Sequence, residues 1–79
     1  MNRVSKDRYE IKGWILDFDV RFSFNIFPLR HPEKLRMGVY YYTGRLDILS
    51  GNKLPEVILE AVRAICETRH KEGLMPNWS

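Results

Sequence analysis

The sequence contains little cysteine and no long apolar run, and both absences exclude classes of protein. Cys66 is the single cysteine, so an intramolecular disulfide framework is excluded, and one thiol alone does not make a zinc site. No stretch approaches the roughly 18 apolar residues of a membrane span, and residues 1–9 lack the apolar core of a secretory signal. These features predict a soluble, cytoplasmic protein that does not enter membranes.

The length and charge of the chain limit its organisation and its partners. Seventy-nine residues form at most one domain, which we place at 1–79, and the polar residues 1–8 are predicted to be flexible. Thirteen Lys and Arg are scattered among ten Asp and Glu, which permits nucleic-acid binding without requiring it. Because so short a chain buries little surface in its own core, formation of a homodimer could add to its stability.

A strict alternation of apolar and polar residues runs from Leu16 to Ile26. The even-numbered positions are all apolar and the odd-numbered ones are all polar, which predicts one long strand with a single apolar face. A one-sided strand is typical of an antiparallel sheet whose second face is open. Tyr9 and Ile11 have the opposite phase, so we expect a turn or bulge near Gly13 and a short additional strand near Tyr9.

The rest of the chain predicts a second strand and a helix. Pro28 and Pro32 end the first strand, and a second strand is expected at 35–49. A helix is expected from Pro55 to about Glu72, because apolar residues recur there at helical spacing. The order of elements predicts an α+β fold: a small antiparallel sheet of two to four strands with one C-terminal helix packed on one face.

Residues with catalytic chemistry are present but do not form a convincing set. Cys66 and His70 lie four residues apart on the predicted helix, and Asp17 and Asp19 share one face of the predicted strand. We interpret the thiol as a core residue and the two carboxylates as solvated. The sequence also lacks a glycine-rich phosphate loop, so we expect a protein without catalytic activity, cofactor or metal.

The strand at 35–49 can face the helix in two ways, because a shift of one residue exchanges its two faces. In the first register the even-numbered residues face the helix, and Met37, Val39 and Tyr41 form an exposed stripe near Arg45. Tyr and Met are enriched at protein interfaces, so this register predicts a protein-binding surface. We favour it because it needs no bulge.

In the second register the odd-numbered residues face the helix, and a bulge at Gly44 restores the phase. Arg36, Tyr40 and Tyr42 would then lie on the open face beside Arg21. Aromatic rings between cations suit single-stranded nucleic acid, because the rings stack on bases and the cations neutralise phosphates.

The C-terminal residues 74–79, with Trp78, are expected either to fold back onto the core or to dock into a partner. Together these features predict a small non-catalytic protein that acts by protein–protein contact. Its size suits an inhibitor or adaptor of the kind that phages and mobile elements direct at host complexes. The alternative is a single-stranded nucleic-acid-binding domain that uses Arg21, Arg36, Tyr40 and Tyr42.

Overall fold

The computed structural model describes residues 2–19, 23–41, 43–49 and 53–73. In these ranges each strand pairs antiparallel with the next along the chain, and α1 (Glu56–Lys71) follows the last strand. The strands are β1 (Asn2–Arg3), β2 (Arg8–Ile11), β3 (Trp14–Phe18), β4 (Ser23–Pro28), β5 (Arg36–Tyr40) and β6 (Leu46–Ile48). The α+β class, the antiparallel sheet and the C-terminal helix are confirmed. The predicted two to four strands are wrong, because the sheet has six.

The predicted long strand from Leu16 to Ile26 is two strands of a hairpin, β3 and β4. Leu16 lies opposite Ile26 and Phe18 opposite Phe24, and the Asp19 amide donates to the Ser23 carbonyl at 3.1 Å. Even-numbered residues of β3 therefore pair with even-numbered residues of β4 and share a face of the sheet. An alternation of period two continues unchanged through such a hairpin, and for this reason the pattern looked like one strand.

The turn between β2 and β3 reverses this phase. Lys12 and Gly13 have φ of 47° and 85°, the left-handed pair of a type I′ hairpin turn. Across this turn odd-numbered residues pair with even-numbered ones, as Tyr9 does with Leu16. Tyr9 and Ile11 therefore face the same side as Leu16, and both the predicted turn at Gly13 and the predicted strand near Tyr9 are confirmed.

The predicted strand at 35–49 is also a hairpin. The Tyr41 amide donates to the Arg45 carbonyl at 2.9 Å, and Gly44 has φ of 91°, a conformation that favours glycine. Gly38 lies opposite Phe24, and a Cβ at Gly38 would overlap the Phe24 ring. Glycine therefore leaves the space that this ring occupies on the helix side of the sheet.

The core lies between the sheet and α1. The predicted helix is confirmed, but it begins at Glu56, one residue after Pro55. It contributes a buried stripe to the core: Ile58, Val62, Ile65 and Cys66. The sheet contributes mainly Tyr9, Ile11, Leu16, Phe18, Phe24, Ile26 and Tyr40. Gly73, with φ of 77°, follows the end of the helix, where the Glu72 amide donates to the Thr68 carbonyl at 3.0 Å.

Arg69 joins the last turns of α1 to the loop between β1 and β2. Its guanidinium donates to the Lys6 carbonyl and to the Asp7 carboxylate, each at 2.9 Å, and lies 4.0 Å from the Phe18 ring centre. The Asp7 carbonyl also accepts from the Phe18 amide at 2.8 Å. Residues 2–8, for which the sequence predicts flexibility, form β1, this loop and the start of β2.

In the part of the chain that the structure describes, no helix has the length and the apolar character needed to cross a membrane.

Candidate functional site

The face of the sheet opposite α1, called the outer face here, carries the odd-numbered residues of β3 to β6. On its β2 and β3 side Arg8 lies opposite Asp17, and their side chains form an ion pair of 2.9 Å. Asn25 of β4 lies between Asp17 and Met37.

Three exposed apolar side chains lie close together at the β5 and β6 end of the outer face. Leu35, Met37 and Leu49 are 43%, 49% and 60% exposed, and we call them the apolar patch. The Leu49 amide donates to the Met37 carbonyl at 2.7 Å, so these two residues are opposite each other. Leu35 has extended backbone directly before β5, and alternation places it on the side of Met37.

Polar and aromatic groups border the apolar patch towards the tip of the β5–β6 hairpin. The Arg45 guanidinium lies 4.8 Å from the centre of the Tyr41 ring and donates to the Asp47 carboxylate at 2.8 Å. Tyr41 is half-buried, while Arg45 is exposed. An apolar centre with a polar, partly aromatic rim is the usual anatomy of a protein-binding surface.

The structure separates the residues of the predicted protein-binding stripe. Met37 is exposed, and Tyr41 and Arg45 lie nearer the tip of the same hairpin, beyond the pair of Val39 and Asp47. Val39 is only 7% exposed, contrary to the prediction. Val39 sits between Ser23 of β4 and Asp47 of β6, so it has a neighbouring strand on each side. The exposed apolar neighbour of Met37 is Leu49, on the opposite strand, and not Val39. Trp78 lies outside the described residues.

The residues of the alternative nucleic-acid surface lie on the helix side where they are described. Tyr40 is 4% exposed and belongs to the core, and Arg36 is 9% exposed, with its guanidinium 5.4 Å from the centre of the Trp14 ring. The register that faces even-numbered residues to the helix is therefore the one observed. Tyr40 and Arg36 are not available on the outer face for stacking or phosphate contact. Arg21 and Tyr42 lie outside the described residues.

Cys66 is fully buried in the core, and burial raises the pKa of its thiol to about 12. A thiol in this state is protonated near neutral pH and is a poor nucleophile. His70, on the same helix, lines a shallow cleft with Tyr40 and Glu67. Asp17 is engaged with Arg8, and the described ranges contain no group of three or more His, Cys, Asp or Glu placed to hold a metal ion.

Two features of the molecule differ from what the sequence predicts. Arg69 was not predicted to be buried, although it continues the stripe of Ile58, Val62 and Ile65 at spacings of three and four residues. Leu49 lies at the end of the single strand predicted at 35–49, and its position opposite Met37 depends on a hairpin that the alternation does not indicate. Spacing on the helix could have indicated that Arg69 is buried. The position of Leu49 could be known only from the register in which β5 pairs with β6.

Comparison of the chain with protein-family models, with curated proteins and with solved structures finds no significant match.

Proposed function

We propose that this protein acts by binding another protein through the apolar patch, without catalysing a reaction. The observation that carries the proposal is the exposure of Leu35, Met37 and Leu49 side by side on the outer face. Leaving such side chains in water forgoes stabilisation, since burial of a Leu or Met contributes about 1.5–3 kcal/mol. A contiguous apolar surface with a polar border is a mark of an interaction site.

The border of the apolar patch supports a protein partner over a nucleic acid. Tyr41 and Arg45 form an aromatic and cationic pair on the hairpin of β5 and β6, nearer its tip than Asp47, and both residue types are frequent energetic centres of interfaces. Asp47 adds a carboxylate beside Arg45, which opposes the approach of a phosphate backbone. The proposed action is that of an inhibitor or adaptor, in which occupying a surface of the partner is the whole function.

The test compares Leu49→Asp with a matched control, Val57→Asp. Val57 is 48% exposed on α1, the layer opposite the outer face, so both changes add one carboxylate at an exposed apolar position. Tagged wild-type protein and both variants are used to capture proteins from an extract of the producing cells. The retained proteins are quantified by mass spectrometry, and circular dichroism verifies that each variant is folded.

The proposal predicts a protein that the wild type and Val57→Asp retain and Leu49→Asp loses. Light scattering on the purified chain shows whether this partner is a second copy, since a homodimer would dissociate in Leu49→Asp only. Equal retention by all three proteins contradicts the proposal. Salt-sensitive retention of nucleic acid, unaffected by Leu49→Asp, would favour the alternative function.

A further inference from the structure

An apolar groove lies between the β1 edge of the sheet and α1, away from the apolar patch. Its volume is about 360 Å³, and its lining residues are Arg3, Tyr9, Ala61, Ala64, Ile65 and Thr68. The helix presents two alanines here, so no large side chain fills the space. Thr68 turns its hydroxyl to the Ala64 carbonyl, at 3.0 Å, which leaves the lining largely apolar.

The β1 strand bordering this groove is an edge of the sheet. The Val4 amide donates to the Arg8 carbonyl at 2.9 Å, and hydrogen-bonded pairs alternate with non-bonded pairs in an antiparallel ladder. The next pair, Arg3 with Tyr9, is therefore a non-bonded pair. It follows that the N–H and C=O of Arg3 point away from β2, in the direction from which another strand could add.

The Arg3 guanidinium marks the rim of the groove with a positive charge. It donates to the Lys6 carbonyl at 2.9 Å and lies 5.2 Å from the centre of the Tyr9 ring, contacts that hold it in place. Its contact with the Glu72 carboxylate is 4.0 Å long, and the Arg3 side chain is 41% exposed. A second carboxylate can therefore approach this guanidinium closely from solvent.

We propose that this edge and groove bind an extended segment of another protein that carries a carboxylate and, two residues away, an apolar side chain. A residue added opposite Arg3 projects to the helix side, as Arg3 does, so its carboxylate meets the guanidinium. The residue two positions along projects to the same side and enters the groove between Tyr9 and Ala64. Backbone bonds at Arg3 hold the segment in register.

A second copy of this chain does not fit the same edge. Symmetric pairing of two β1 strands centred on Arg3 would place two guanidinium groups opposite each other, and like charges in that position destabilise a sheet. The partner is therefore a different protein. Because β1 and β6 are opposite edges of the sheet, this surface is independent of the apolar patch.

The test selects linear 12-residue peptides from a random phage-displayed library on the full chain. Two variants are compared with the wild type. Ala64→Glu places a carboxylate in the groove, and Val57→Glu places one on the same helix at a residue that does not line it. Circular dichroism verifies that both variants fold. Isothermal titration calorimetry then measures the affinity of the selected peptides.

The proposal predicts that selected peptides share an Asp or Glu two positions from a Leu, Ile, Val, Met or Phe. Ala64→Glu should weaken their binding about tenfold or more, because the apolar side chain loses its site, while Val57→Glu leaves it unchanged. Arg3→Glu should weaken binding of the same peptides and strengthen binding of peptides whose acid is replaced by Lys. Failure to select any peptide, or equal binding by Ala64→Glu and the wild type, would overturn the proposal.

Discussion

The ion pair between Arg69 and Asp7 joins a buried side chain to a half-exposed one, so removing one partner should cost more stability than removing the other. Arg69 is 3% exposed, whereas the Asp7 side chain is 49% exposed, and their atoms are 2.9 Å apart. Removing the carboxylate leaves a buried cation with only neutral acceptors. Removing the guanidinium leaves a carboxylate that water can hydrate. The larger cost should therefore come from changing the more exposed partner.

The magnitudes follow from the contacts that each change removes. We expect Asp7→Ala to lower the free energy of unfolding by about 2 kcal/mol, below the 3–5 kcal/mol typical of fully buried pairs, because water reaches the Asp7 side. Arg69→Met keeps most of the side-chain volume and the contact with Phe18, and it removes the need to desolvate a cation. We expect it to cost about 1 kcal/mol, mainly from lost hydrogen bonds.

Urea and thermal unfolding of both single variants and of the double variant measure these costs. A loss of 1 kcal/mol corresponds to a fall in Tm of about 4–8 °C for a domain of this size. The double variant should be no less stable than Arg69→Met alone, since Asp7 has no buried cation to compensate once Arg69 is gone. A larger loss for Arg69→Met than for Asp7→Ala would show that the Asp7 carboxylate does not offset the cost of burying the Arg69 cation.

Three further predictions concern the core and one turn. Gly38→Ala should lower the free energy of unfolding by about 1–3 kcal/mol, because the Phe24 ring must move, and unchanged urea unfolding would contradict this. Lys12→Asn should raise Tm by a few degrees, about 0.5 kcal/mol, since Asn adopts positive φ more readily; an unchanged or lower Tm would count against the type I′ turn. Burial raises the pKa of both Cys66, to about 12, and Tyr40, where Glu67 adds to the effect. Both groups are neutral when protonated, so their burial contributes fully to the free energy of unfolding below about pH 8.5. This contribution should fall as the pH rises towards 12, and the fall should be shallower in Cys66→Ala.

The sequence predicted faces of the sheet better than it predicted strands. The even-numbered residues from Leu16 to Ile26 do share the helix side, but they belong to two strands. In the hairpins β3–β4 and β5–β6 even-numbered residues pair with even-numbered ones, so alternation carries no sign of the reversal. The turn at Lys12 and Gly13 was visible because it changes the phase. The number of strands therefore could not be predicted from the alternation, because the turns of these two hairpins leave its phase unchanged.

The candidate site could be predicted only where a single strand decides exposure. Met37 is exposed as expected, since its position follows from the phase of β5 against the helix. Val39 has the same phase and is buried between Ser23 and Asp47, so phase alone does not decide exposure. Leu49 joins the patch only through the register of β5 with β6. Similarly, the burial of Arg69 depends on partners in a loop far away in sequence.

Contact between the apolar patch and a protein can be tested by photo-crosslinking. A benzophenone-bearing amino acid replaces Leu49 in one protein and Val57, on the opposite layer, in a second. After irradiation in producing cells, mass spectrometry identifies what each position has captured. If the apolar patch binds a protein, one discrete protein is attached at position 49 and absent at position 57. The same product at both positions, or nucleic acid as the attached species at position 49, would contradict this contact.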